Sequence, residues 1–196
     1  GATPARVAAA LSRLAVVRCS RACRGPTKRM GRSDTAEEAT AKLEAEGWAM
    51  VEDSGRGYRR IVPSPHPLRI VEARQIKTLV ESGFVVIAAG GGGIPVVETA
   101  EAGYEGVEAV IDKDLASALL ASSLGIPLLV LGTGVEQVAI HVRHPDQRFV
   151  GRRTVTAARR YLADGELANG SLATPAPPTA PCRGPGAPVW CAPSPP

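Results

Sequence analysis

The sequence predicts an α/β protein with a mostly parallel sheet between helices. Three observations carry this expectation. Two continuous apolar runs, Phe84-Val-Val-Ile-Ala-Ala89 and Leu128-Leu-Val-Leu131, read as strands buried on both faces. Segments with helix start and stop signals alternate with them. Glycine clusters, Gly90–Gly93 and Gly132-Thr-Gly134, follow both runs at the carboxyl end, where open α/β sheets bind ligands.

Taken in order, Thr35-Ala-Glu-Glu38 is a capping-box pattern that opens a helix to Glu46, stopped at Gly47. Ile61-Val62-Pro63 reads as a short strand ended by prolines. Residues 68–82 read as a helix with Ile76, Leu79 and Val80 on one face and Gly83 at its C-cap. Val107-Glu-Ala-Val-Ile111 reads as a short strand. Asp112 or Asp114 caps a helix to Ser123, ended by Gly125. Thr154 to Ala163 is a last helix, stopped at Gly165.

Composition divides the 196 residues into three parts. Residues 1–25 are rich in Ala and Arg, and predict a disordered or unrelated basic segment. Residues 26–171 are ordinary α/β protein. Residues 172–196 hold nine of the 17 prolines, and predict an extended or disordered, dispensable tail, because proline removes amide donors. The net charge of +4 is uneven: residues 1–32 carry eight Arg or Lys and no acid, and the remainder carries more acid than base. That distribution, with aromatics at only 4%, speaks against a nucleic-acid partner. No run is long enough for a membrane-spanning helix, so no membrane partner is expected. Cys19, Cys23, Cys182 and Cys191 all lie in the terminal segments, and a core without cysteine suits the cytoplasm. No metal-ligating constellation is expected.

Two motifs carry chemistry. Gly90-Gly-Gly-Gly93 lacks side chains that block close approach, and successive amides can form an anion-binding nest; it also reads as a tight turn after a strand. It matches neither GxxxxGK[ST] nor GxGxxG. Asp112-Lys113-Asp114 opens a helix about twenty residues later. There, Lys113 reads either as a surface lysine or as a cation that neutralises a transferring phosphoryl group, with Asp114 holding it in place or serving as an N-cap. Arg56, Arg59 and Arg60 read as a phosphate site or as a solvated hairpin, while His66, His141 and His144 lack metal-binding spacing.

Several stretches resemble carbamate kinase, of the amino acid kinase superfamily. They are Pro26-Thr-Lys-Arg-Met-Gly31, Gly55-Arg-Gly-Tyr-Arg-Arg-Ile-Val-Pro-Ser-Pro65, Ala88-Ala-Gly-Gly-Gly-Gly-Ile-Pro-Val96, Gly106-Val-Glu-Ala-Val-Ile-Asp-Lys-Asp-Leu-Ala116 and Thr133-Gly-Val-Glu-Gln-Val138. The resemblance implies a three-layer αβα sandwich around a mostly parallel sheet. It implies a homodimeric ATP:carbamate phosphotransferase that makes or consumes carbamoyl phosphate with Mg2+-bound ATP or ADP. It places Lys28 in a small lid subdomain within residues 26–65 that reaches the acid substrate. Lys113 becomes the charge-stabilising lysine and Asp114 its organiser. Gly91 and Gly92 lie near the substrate phosphate, and Thr133, Gly134 and Val135 border the nucleotide.

The resemblance runs from about Pro26 to Ser171. The family's opening GGNA-type glycine loop has no counterpart in residues 1–25. After Gly170-Ser171 the family's Met-Gly-Pro-Lys is replaced by Leu172-Ala-Thr-Pro. These abrupt changes predict ends translated out of frame or from a misplaced gene boundary, which resequencing would test. They also keep a second reading open, a non-catalytic remnant that binds nucleotide or dimerises. A third reading is a related kinase acting on acetylglutamate, aspartate or UMP, against which the GGGGIPV string and the Pro26–Gly31 segment speak.

Overall fold

The computed structural model describes residues 5–18, 25–26, 28–53, 55–101, 103–133, 138–141, 144–151, 153–166 and 190–193. In chain order the strands are β1 (Val7–Ala9), β2 (Arg13–Ala15), β3 (Lys28–Asp34), β4 (Met50–Glu52), β5 (Tyr58–Val62), β6 (Arg69–Ile70), β7 (Val85–Ile87), β8 (Ile94–Thr99), β9 (Gly103–Gly106), β10 (Val130–Thr133), β11 (Val138–Ile140), β12 (Arg148–Val150) and β13 (Trp190–Pro193). The helices are α1 (Ala36–Glu46), α2 (Ala73–Glu81), α3 (Lys113–Leu124) and α4 (Val155–Ala163).

The chain divides into two units. One comprises Gly1–Ala9, Ala73–Ile87 and Lys113–Pro196, the other Ala10–Glu72 and Ala88–Asp112. In the first, β1 pairs in parallel with β7, β10 in parallel with β13, and β11 antiparallel with β12. Helix α2 packs on α3, and among the described residues the buried side chains are Ile76, Ala116, Ala139, Ile140 and Tyr161.

In the second unit, β6-β2-β8-β9 form one mixed sheet and β3-β5-β4 an antiparallel one. Its core gathers Leu14, Ala15, Val16, Val62, Ile70, Ala89, Val96, Val97 and Ile111. Glu72 fastens β2 beside β6. Its two carboxylate oxygens accept from the Arg13 backbone amide at 2.7 Å and from Arg13 Nε at 2.6 Å.

The local signals worked where chemistry is local. Thr35 and Glu38 form the reciprocal capping box of α1, and Gly47 closes it at φ 65°. Thr154 caps α4 by accepting from the Ala157 amide.

Four expectations need correction. Residues 1–25 are not uniformly unstructured, because Val7–Ala9 and Arg13–Ala15 are strands. Leu14, Ala15 and Val16 supply buried apolar side chains, Leu14 completely so, which the surrounding arginines masked. The proline-rich tail contributes β13, whose Trp190–Pro193 register lies along Val130–Thr133. Proline is compatible with a strand at a sheet edge; the tail residues 172–189 and 194–196 lie outside the described residues. Val107–Ile111 is not a strand, since the antiparallel partner of β8 is Gly103–Gly106. Finally, β7 is not buried on both faces, as Val85 is 57% and Ile87 61% exposed.

Candidate active site

The glycine loop joins β7 to β8, and its four glycines have different physical reasons to be there. A Cβ on Gly92 would lie 2.2 Å from the Ile111 carbonyl oxygen, and Gly92 has φ 134°. A Cβ on Gly93 would lie 2.1 Å from Leu14 Cδ1 and 2.8 Å from the Ser12 carbonyl oxygen. Both positions are closed to any side chain. Gly91 is exposed, its φ lies outside the left-handed region, and nothing stands within 4 Å of its virtual Cβ. Packing therefore demands glycine at 92 and 93 and does not demand it at 91.

Ser12 braces the loop. Its hydroxyl accepts from the Ala89 amide at 2.9 Å in a buried hydrogen bond. Its carbonyl accepts from the Ile94 amide at 2.8 Å. The Gly92 amide donates to the Ala89 carbonyl, closing the turn, and Ala89 itself sits at φ 61°. A non-glycine residue in that region is held by its surroundings. Local sequence signals gave no role to Ser12, because its partners lie 77 and 82 residues away.

We expect Gly92→Ala to destabilise the protein by about 3 kcal/mol or more, through a backbone clash and a strained φ. Gly91→Ala should stay within about 1 kcal/mol of the parent. Chemical denaturation of both variants checks this, and equal losses would remove the distinction.

Lys113 and Asp114 open α3. Lys113 Nζ donates to Asp114 Oδ1 at 2.9 Å, and the lysine side chain is 64% exposed. A cation in the first turn opposes the helix dipole, and an exposed ion pair adds little stability. Helix stability thus gives no reason for lysine here, whereas Asp114 suits the position as an acid in the first turn.

Lys28 begins β3. The β3–β5 and β4–β5 registers put Lys28, Met30, Tyr58, Arg60, Val62 and Met50 on one face of the three-stranded sheet. On that face Lys28 Nζ donates to Asp112 Oδ2 at 2.6 Å. Arg60 pairs with Glu108 and lies 4.1 Å from the Trp48 ring centroid.

Arginines also surround buried Asp53: Arg56 at 3.2 Å, and Arg29 and Arg59 at 3.5 Å. Burial raises the Asp53 carboxyl, but Arg56, Arg59 and Arg29 outweigh it, so the group titrates below its usual 3.8. The hydrogen bond from Lys42 holds Asp34 below the same value, against burial and with help from Arg32. Glu72, raised by burial and lowered more by Arg13, sits below its usual 4.5.

Acid sensitivity follows from these depressed groups. Their contribution is present above the unfolded values of 3.8 and 4.5 and is lost as pH falls through the lower folded values. All three lie in Ala10–Glu72. Melting followed by Trp48 fluorescence should therefore show a falling Tm from about pH 5 to about pH 3. A flat Tm over that interval would refute the assignment.

Thr133 is the last residue of β10, in register with Pro193. Gly134 and Val135 lie outside the described residues. Among the described residues no group of three or more His, Cys, Asp or Glu is placed to hold a metal ion.

A family model described as the Amino acid kinase family matches residues 30–180. The chain belongs to the amino acid kinase family. Within that family it resembles the carbamate kinases. It is 50% identical over 149 residues to the carbamate kinase-like protein YahI of Escherichia coli, covering 75% of this chain and 47% of the relative. It is 50% identical over 147 residues to the carbamate kinase of Staphylococcus haemolyticus, with the same coverage of 75% and 47%. The fold aligns with the carbamate kinase of Giardia lamblia bound to AMP-PNP at a TM-score of 0.72. That alignment has 37% identity and covers 88% of this chain and 54% of the other. The chain spans about half the length of the curated relatives it matches. The amino acid kinase family's α/β architecture is thus the fold of this chain.

Proposed function

We propose that this chain carries part of the site of an ATP:carbamate phosphotransferase, catalysing ATP + carbamate = ADP + carbamoyl phosphate. The observation that carries the reading is Gly91, an exposed glycine that neither packing nor φ requires. It lies in a braced loop, within a region half identical to carbamate kinases. In the reaction a carbamate oxygen attacks the γ-phosphorus and the bond to the ADP oxygen breaks, with no covalent protein intermediate. The protein's work is positioning and charge stabilisation.

In this reading Gly91 and Gly92 let backbone amides approach the substrate phosphate. Lys113 neutralises charge on the transferring group, held by Asp114. Lys28 meets the acid substrate. Thr133, Gly134 and Val135 border the nucleotide, as the family resemblance implies; the Giardia lamblia relative binds AMP-PNP. Mg2+ would arrive on the nucleotide phosphates and screen their charge; the described residues form no three-ligand cluster to hold it alone. A homodimer in the cytoplasm completes the proposal. No helix among the described residues is long and apolar enough to cross a membrane.

A substrate panel tests the reading. Binding of carbamoyl phosphate and ADP is compared by calorimetry with acetylglutamate, aspartate and UMP. Carbamoyl phosphate should bind in preference to the other three; preference for any of them would overturn the assignment.

A further inference from the structure

We propose that Asp112 is a positioning residue, the internal counterion that holds Lys28 where an anionic substrate group takes over the ammonium. The proposal rests on the reading of Lys28 as an anion-binding residue. Lys28 and Asp112 are 84 residues apart in sequence and meet at 2.6 Å, with side chains 37% and 32% exposed. The pair is therefore ordered yet open to solvent and to an incoming ion. It does not stand alone. Arg60, on the same sheet face, pairs with Glu108, and the Val110 amide donates to the Pro63 carbonyl at 3.0 Å. One irregular segment, residues 107–112, thus supplies both carboxylates and a backbone anchor to the β3–β5 face.

Glu108 and Asp112, four residues apart in that segment, both reach cations of one face. Asp112 also immediately precedes Lys113, so the counterion of one proposed anion-binding lysine adjoins the other in sequence. A phosphate-bearing anion that engages Lys28 must displace or share Asp112. The carboxylate lowers affinity for the anion while keeping the long, flexible lysine in one place.

The test is calorimetric titration of residues 1–196 with inorganic phosphate and with carbamoyl phosphate. Asp112→Asn should bind both about threefold to fivefold more tightly than the parent, the upper scale of a partly exposed ion pair. Asp112→Glu, which keeps the charge, should stay within about twofold of the parent. In a Lys28→Met background the Asp112→Asn gain should vanish. A gain that persists there reports a general loss of negative charge, including relief of Lys113, and overturns the proposal. Asp112→Ser repeats the measurement as a second neutral replacement, and thermal melts verify that each variant folds. Phosphate binding by the parent that no Asp112 variant changes overturns the counterion role and leaves the phosphate site standing. Binding of neither anion by any variant overturns both.

Discussion

Assayed alone with carbamoyl phosphate and MgADP, residues 1–196 are expected to form ATP at least about a thousandfold below an ordinary enzyme rate of about 10 per second. Phosphoryl transfer needs groups on both sides of the phosphate, fixed before reaction. Of the groups the family resemblance calls for, this chain carries Gly91, Gly92, Lys113 and Asp114. The GGNA-type loop and the Met-Gly-Pro-Lys lysine have no counterpart in these residues. Each missing stabiliser is worth about 3 kcal/mol or more, so two account for the expected loss. The same preparation should aggregate on mild heating. Val7, Val85, Ile87, Leu128 and Val130 are all exposed apolar side chains in or beside strands, and such surface favours association. Turnover near 10 per second from a monodisperse, cooperatively melting sample would refute both halves of this expectation.

The second large effect belongs to Lys113. In a chimera that adds the flanking segments of the Staphylococcus haemolyticus relative, Lys113→Ala should lower kcat by about a hundredfold or more. The reason is that a cation felt mainly in the transition state acts on kcat rather than on ground-state binding. Nucleotide affinity should change by less than about threefold. Stability should hardly move, because the Lys113–Asp114 pair is exposed. An unchanged kcat would reduce Lys113 to a surface lysine. A parallel rise in KM with kcat intact would assign it to substrate binding instead.

The features legible in the sequence are those whose determinants sit within one turn of backbone. Thr35 and Glu38 announce α1, Thr154 announces α4, and the acids around Lys113 mark the start of α3. The glycine run announced a tight turn after a strand, though not that Gly92 and Gly93 answer to Ile111 and Leu14. What stayed hidden depends on partners far along the chain. The Arg-rich opening looked like a basic segment because charge dominates its composition. Its strand β1 exists because Val7–Ala9 align with Val85–Ile87, and β2 because Leu14 and Ala15 align with Pro95 and Val96 on one side and with Ile70 and Arg69 on the other. Val107–Ile111 has a strand's apolar content. Its Val110 amide goes to the Pro63 carbonyl, while Gly103–Gly106 takes the place beside β8. Asp112 looked like a helix cap, and only the fold brings Lys28 to it.

Ser12 gives the glycine loop an uneven dynamic character. The Ala89 amide is locked in a buried hydrogen bond, and the Ile94 amide is tied to the same serine. Between them Gly90 and Gly91 face open space. Amide exchange with solvent should therefore be slow at the two posts of the loop and fast at its crest. The loop thus sets an open, two-residue crest between fixed ends. An anion settling on that crest would have little left to freeze, since only two or three residues give up freedom on binding.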